Sequence, residues 1–191
     1  MYCEKRITNP DGERREGNCE IEHVVPKSAD PTRIFDWTNL AMSCRPEQRS
    51  PGGCGDSKAN NPLPIGCDPR DIRAADLVVT TSSNGMLLPS IDGCEKAGID
   101  PQLLKQAIDM LRLNRDSLKR ARKVILDEIR ASIRKITLNG EQALELDMSD
   151  IVRKNLQPDK HGHLVSFWTT YRCGYKHWAE DYIAENEHII Q

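Results

Sequence analysis

Glu22-His23 ahead of Val24-Val25-Pro26, then Asn39-Leu40, then Cys54-Gly55-Asp56-Ser57-Lys58 gather four kinds of reactive side chain in a short stretch. A carboxylate holds a hard divalent cation, an imidazole takes a proton, a carboxamide orients its neighbours, and an ammonium meets an anion. In this order they suit phosphodiester hydrolysis. Water attacks in line, a base removes its proton, and a cation stabilises the departing alkoxide. His23 suits the base, since imidazole side chains ordinarily titrate near neutrality. Glu22 and Asp56 offer oxygen ligands to Mg²⁺ or Mn²⁺. Asn39 can hold the His23 ring or the intervening loop, and Lys58 can contact phosphate. Asp56 reads equally as a first-turn carboxylate favoured by the helix dipole. A lone histidine here would read as a surface residue near a turn. The register of Glu22, Pro26, Asn39, Leu40, Cys54 and Lys58 around it favours the base instead.

Cys3, Cys44 and Cys54 flank these residues where a structural zinc would tie the first loop to the second strand and the following helix. Soft thiolates suit zinc and not magnesium. The bland alternative is free, packed cysteine. Three candidates leave a tetrahedral ion one ligand short. Cys19 or Cys67 would have to complete it, and neither has a persuasive spacing. Cys94 and Cys173 read as structural or incidental.

The elements that must position these groups are short. Ile21, Val24 and Val25 suggest one strand, and Leu40 to Cys44 a second. A short helix should begin near Asp56 and stop before Pro62 or Pro64. Strand, loop, strand and short helix make a ββα-metal arrangement. Side chains alternate along a regular strand, so Glu22 and His23 would face opposite ways, and His23 is expected at a strand end before Pro26. Residues 67–98 read as a connector with a small hairpin, Leu77–Thr81 returning through Asn84-Gly85 to Met86–Leu88. Residues 99–138 read as helical. Asp100-Pro101 opens the run, Leu104, Ile108, Leu111, Leu118, Ala121, Ile125, Ile129, Ile133 and Ile136 form one apolar face, and a break falls near residues 113–116. A last helix is expected from Phe167 or Trp168 to Glu187. Its aromatics, Trp168, Tyr171, Tyr175, Trp178 and Tyr182, would form one face in a core or interface. The fold class is thus α+β, with a nuclease-like module at 1–66, a connector at 67–98 and a helical region at 99–191 for partner docking or nucleic-acid contact.

The 191 residues carry 38% hydrophobic and 29% charged side chains and a net charge of -2, which excludes a wholly basic nucleic-acid binder. Charge is uneven, however. Leu111 to Lys135 holds nine Lys or Arg against three Asp or Glu. Arg112, Arg115, Lys119, Arg120, Arg122 and Lys123 read first as the solvated face of an amphipathic helix, and next as a phosphate-binding or docking face. Seven cysteines, an odd number, cannot all pair within one chain. The charged start lacks a signal peptide's apolar core, and no apolar run is long enough for a membrane. A reducing cytoplasm is the expected compartment.

With these residues in hand, the chain resembles the HNH nuclease subunits (PtuB family) of Septu-type anti-phage systems, also found beside some retrons. The resemblance runs through Tyr2-Cys3-Glu4, Ile21 to Ser28, Asn39 to Cys44, Cys54 to Lys58, Asn84-Gly85, Leu87-Leu88-Pro89, Leu111 to Asn114, Leu118 and Ala121-Arg122. The Leu-x-Leu-Asn helix and the Cys-Gly-x-x-Lys form of the last motif narrow it to this family. The resemblance implies a nucleic-acid-cleaving effector, acting on DNA ahead of RNA and held by a PtuA-like ABC-type ATPase. His23 takes the general-base role, Glu22 a metal-ligand role and Asn39 the orienting role. Many HNH proteins carry Asn where this chain has Gly55, so that ligand role moves to Asp56 or is lost. The family pattern begins Cys-x-Tyr-Cys, whose first cysteine would fall just before residue 1. Either the natural start lies upstream or that ligand is dispensed with. The competing expectations are a non-catalytic zinc-binding adaptor and a stand-alone restriction-like DNA nuclease.

Overall fold

The structure, a computed structural model, describes residues 2–5, 19–45, 52–68, 75–137 and 141–186, with the side chains of 141–147 excepted. The chain divides into two compact units, Met1–Val78 with Leu87–Arg115, and Val79–Met86 with Asp116–Gln191.

In the first unit, β1 (Cys19–His23) pairs antiparallel with β2 (Leu40–Cys44), setting Glu22 opposite Ala41 and His23 opposite Leu40. β1 ends at His23 and does not run on to Val25. Val24 N–H donates to the Asn39 carbonyl at 2.9 Å, and both Val25 backbone groups bond the Asn39 side chain, so they are withdrawn from the ladder. Pro26 follows and could offer no donor to extend it. The loop between the strands carries two 3₁₀ turns, Pro31–Arg33 and Trp37–Asn39, capped by the carboxylates of Asp30 and Asp36. Helix α1 (Cys54–Lys58) is fastened to β2 by Gly55 N–H donating to Ser43 Oγ at 2.9 Å. It stops at Ala59, whose φ of 51° leaves the helical region.

The hairpin lies where the pattern places it, as β3 (Val78–Thr80) and β4 (Leu87–Pro89). Asn84 Oδ1 accepts from Met86 N–H at 3.0 Å, and Gly85 takes φ 73°. A helix absent from the sequence reading follows, α2 (Ile91–Ala97). Ser90 Oγ caps its start by accepting from Gly93 N–H, and Gly98 in the left-handed region closes it. Helix α3 (Pro101–Met110) begins at an Asp100 cap. Leu77, Leu87, Cys94, Leu104, Ala107, Ile108, Leu111 and Leu113 are buried in this unit.

The second unit is helical. Helix α4 (Asp116–Thr137) begins after the expected break, and α5 (Glu141–Leu156), which the sequence reading lacks, packs against it. The single last helix is instead two, α6 (Trp168–Tyr175) and α7 (His177–Glu185), parted at Lys176 with φ 55°. The core runs from Leu118, Leu126, Ile129 and Ile136 on α4 to Met148, Val152 and Leu156 on α5 and Trp168, Tyr175 and Ala179 beyond. Gly174 on α6 lets Ile129 approach, since a Cβ there would stand 2.6 Å from its Cδ1. No helix of the described residues is long and apolar enough to cross a membrane.

Candidate active site and cysteine cluster

His23 is the last residue of β1 and half-buried. Its Nε2 lies 2.8 Å from the Ile34 carbonyl. A carbonyl only accepts, so Nε2 carries the hydrogen, and Nδ1 is the basic nitrogen of the neutral ring. That bond fixes ring and tautomer from the loop between the strands.

Asn39 holds the same loop. It is fully buried, accepts from Val25 N–H at 2.8 Å, and donates to the carbonyls of Val25 at 3.0 Å and Arg33 at 3.3 Å. Of the two tasks expected of it, these bonds show the loop. Its carboxamide supplies one acceptor and two donors, which a carboxylate or an aliphatic chain of the same length could not.

Glu22 turns toward α1. Its carboxylate meets the Lys58 ammonium at 3.0 Å, with the two side chains 9% and 1% exposed. Lys58 Nζ also lies 3.3 Å from the His23 carbonyl and 3.4 Å from those of Ala59 and Asn61. The group expected at phosphate is therefore enclosed in the first unit. Burial pushes the Glu22 carboxyl up. Its hydrogen bond and attraction to Lys58 oppose this, while the charges of Asp56 and Cys44 add to it. Glu20, on the same strand face, is raised first by burial and then by Asp56. Asp56 accepts from Gly53 N–H at 3.0 Å as the third residue of α1, which is the cap geometry. Glu20, Glu22 and Asp56 thus repel one another across β1 and α1, and a hard divalent cation would relieve that repulsion. Their carboxylates are nonetheless not gathered into a preformed cage. A magnesium site needs only one or two carboxylates besides substrate oxygens and water.

Gly55 explains how Glu22 reaches its place. A Cβ at Gly55 would stand 1.6 Å from Glu22 Oε2 and 3.0 Å from Ser43 Oγ. The space that a side chain after Cys54 would fill is occupied by the Glu22 carboxylate.

Cys3, Cys44 and Cys54 come together, all buried, with sulfurs within 4.8 Å of one another. Among the described residues this is the one group of three or more His, Cys, Asp or Glu gathered so. Neither Cys19 nor Cys67 joins it. The Cys44 and Cys54 sulfurs are 3.6 Å apart, too far for a disulfide. Two thiolates on one tetrahedral zinc lie about 3.8 Å apart, so the separation fits. Hydrogen bonding with Cys3 and Cys54 holds the Cys44 thiol far below the ordinary range, whereas the same contacts push Cys54 up. One thiolate shared by two thiols is what such a cluster gives without a cation.

Three features went unread in the sequence. Arg115 Nη1 and Nη2 reach Cys54 Sγ at 3.4 Å and Cys44 Sγ at 3.5 Å. Arg122 is not on a solvated face. It is 2% exposed, donates to the Gly85 carbonyl at 3.3 Å, and lies over the Phe167 ring. Its four-residue spacing from Leu118 and Leu126 was the available signal. Phe35 and Trp37 stand 90% and 84% exposed on the loop that orients His23. An aromatic pair amid Asp, Thr and Asn was their signal.

No family model matches the chain. Among curated proteins it is similar to one from Vibrio cholerae serotype O1 biovar El Tor that bears the name of a retron Vc95 HNH endonuclease. The two are 28% identical over 132 residues, which is 68% of this chain and 58% of that protein. The similarity supports an HNH endonuclease family and a nuclease function, and the matched part spans little more than half of that relative.

Proposed function

We propose that this chain is a divalent-metal-dependent HNH endonuclease, the effector of a Septu-type anti-phage complex with an ABC-type ATPase in a reducing cytoplasm. The observation that carries the reading is His23. It sits at the end of β1 with Nε2–H committed to Ile34, so Nδ1 is left to accept a proton from attacking water. Asn39 keeps the loop that orients the ring. Glu22 and Asp56 would hold Mg²⁺ or Mn²⁺, which supplies charge to polarise the phosphate and stabilise the leaving oxygen. Lys58 acts by holding Glu22 in place. Phe35 and Trp37 offer unstacked bases an aromatic surface on the same loop. DNA is the expected substrate ahead of RNA. Cys3, Cys44 and Cys54 would hold a structural zinc that ties the N-terminal loop to β2 and α1.

The second reading, a non-catalytic zinc adaptor, draws on one observation. The Glu22 carboxylate is already neutralised by Lys58. The test supplies DNA and RNA to the chain with Mg²⁺, with Mn²⁺ or with neither, alone and with the ATPase. Metal-dependent cleavage that requires the ATPase supports the gated effector, and cleavage by the chain alone supports a free nuclease. Stoichiometric zinc with no cleavage under any condition supports the adaptor.

A further inference from the structure

The turn between α3 and α4, residues 111–115, is held at both of its ends. Leu111 and Leu113 are buried. Asn114 spans the Leu87 backbone, accepting from its N–H at 2.8 Å and donating to its carbonyl at 2.9 Å. The next residue, Arg115, turns the other way and forks onto the sulfurs of Cys54 and Cys44. A half-buried guanidinium keeps its charge and needs an anion, and what its fork meets is the cysteine cluster.

We propose that Arg115 is the charge-balancing partner of a three-thiolate metal centre, and that through it a metal at Cys3, Cys44 and Cys54 fastens the α3–α4 turn. The charge count favours this. Three thiolates and a neutral fourth ligand around a divalent ion leave one net negative charge in a buried place, and one guanidinium cancels it. Each thiolate keeps lone pairs directed away from the metal, which the two N–H groups reach without entering the coordination sphere. Arg115 is a positioning residue and touches no substrate. The inference rests on the metal reading of the cysteines and is independent of whether the chain cleaves nucleic acid.

The test measures zinc affinity of the full chain by competition with a chromogenic chelator, for wild type, Arg115→Lys and Arg115→Met. Loss of an outer partner of this kind weakens metal binding about 10–100-fold. The expected order is wild type, then Lys, which keeps the charge without the fork, then Met. An Arg115→Met affinity within twofold of wild type would overturn the proposal, as would a wild type that takes up no zinc. A second measurement needs no variant. Hydrogen exchange at the Leu87, Leu113 and Arg115 amides of the wild type is followed with and without zinc. Faster exchange on zinc removal is expected, and unchanged exchange at all three overturns the fastening.

Discussion

Replacing Gly55 with alanine probes how Glu22 is placed. Gly55 is the second residue of α1 and has no left-handed φ, so in open space the change would stabilise by about 0.4–1 kcal/mol. It is not in open space. The new Cβ would stand where the Glu22 carboxylate stands, and that carboxylate is the ion partner, at 3.0 Å, of a lysine 1% exposed. Moving the carboxylate strands a buried ammonium, a loss of about 3–5 kcal/mol when complete. Set against the alanine gain, a net destabilisation of about 2–4 kcal/mol is expected. For a chain of this size that lowers Tm by about 4–16 °C. The assay is urea and thermal unfolding of Gly55→Ala in the wild-type and Glu22→Ala backgrounds. With Glu22 truncated the clash with its carboxylate is gone and only the 3.0 Å approach to Ser43 Oγ remains, so alanine should fall within about 1 kcal/mol of neutral there, a coupling of about 1 kcal/mol or more. A Gly55→Ala protein that is more stable than wild type, or equally destabilised in both backgrounds, would refute the placement of Glu22.

Asn39→Ala should cost about 3 kcal/mol in urea unfolding, because it strands buried backbone groups of Val25 and Arg33. Arg122→Ala should destabilise by about 2–4 kcal/mol yet leave the salt dependence of nucleic-acid binding unchanged, since the guanidinium is buried against Gly85 and Phe167. Raised carboxyls at Glu22 and Glu20 mean the folded state binds protons more tightly than the unfolded one. Their contribution to stability is therefore largest below the ordinary value of 4.5 and is lost as pH rises through the raised folded value. Urea midpoints across this acid range should show a smaller downward slope in Glu22→Gln than in wild type.

Local chemistry made part of this chain legible and long-range contact hid the rest. Leu40–Cys44 could be read because its apolar run lies within the strand, and the short helix because Pro62 bounds it from outside, although the helix itself stops earlier, at Ala59. The break before Asp116 was marked by Asn114 and Asp116 themselves. Ser90 and Gly98 would have marked α2, but its seven residues are too few to show a helical period. The four-residue apolar spacing of Met148, Val152 and Leu156 was the signal for α5 that went unread, and all three are fully buried. Lys176 leaves the helical region although nothing in its side chain demands it, so one aromatic pattern spans two helices. The convergence of Cys3, Cys44 and Cys54 was read from their positions beside the strands. Arg115, 61 residues beyond Cys54, was read as one more charge on a basic face. The burial of Lys58 likewise depends on Glu22, 36 positions earlier, having room beside Gly55.

His23 is proposed as the base of a metal-dependent nuclease. The direct measurement is the cleavage rate of wild type and His23→Ala on DNA and RNA in Mg²⁺ or Mn²⁺, with the ATPase present and with equal urea midpoints confirming that both are folded. Cleavage by wild type and a loss of about 10²–10⁴-fold in the variant are expected. A His23→Ala protein that cleaves as fast as wild type would contradict that role.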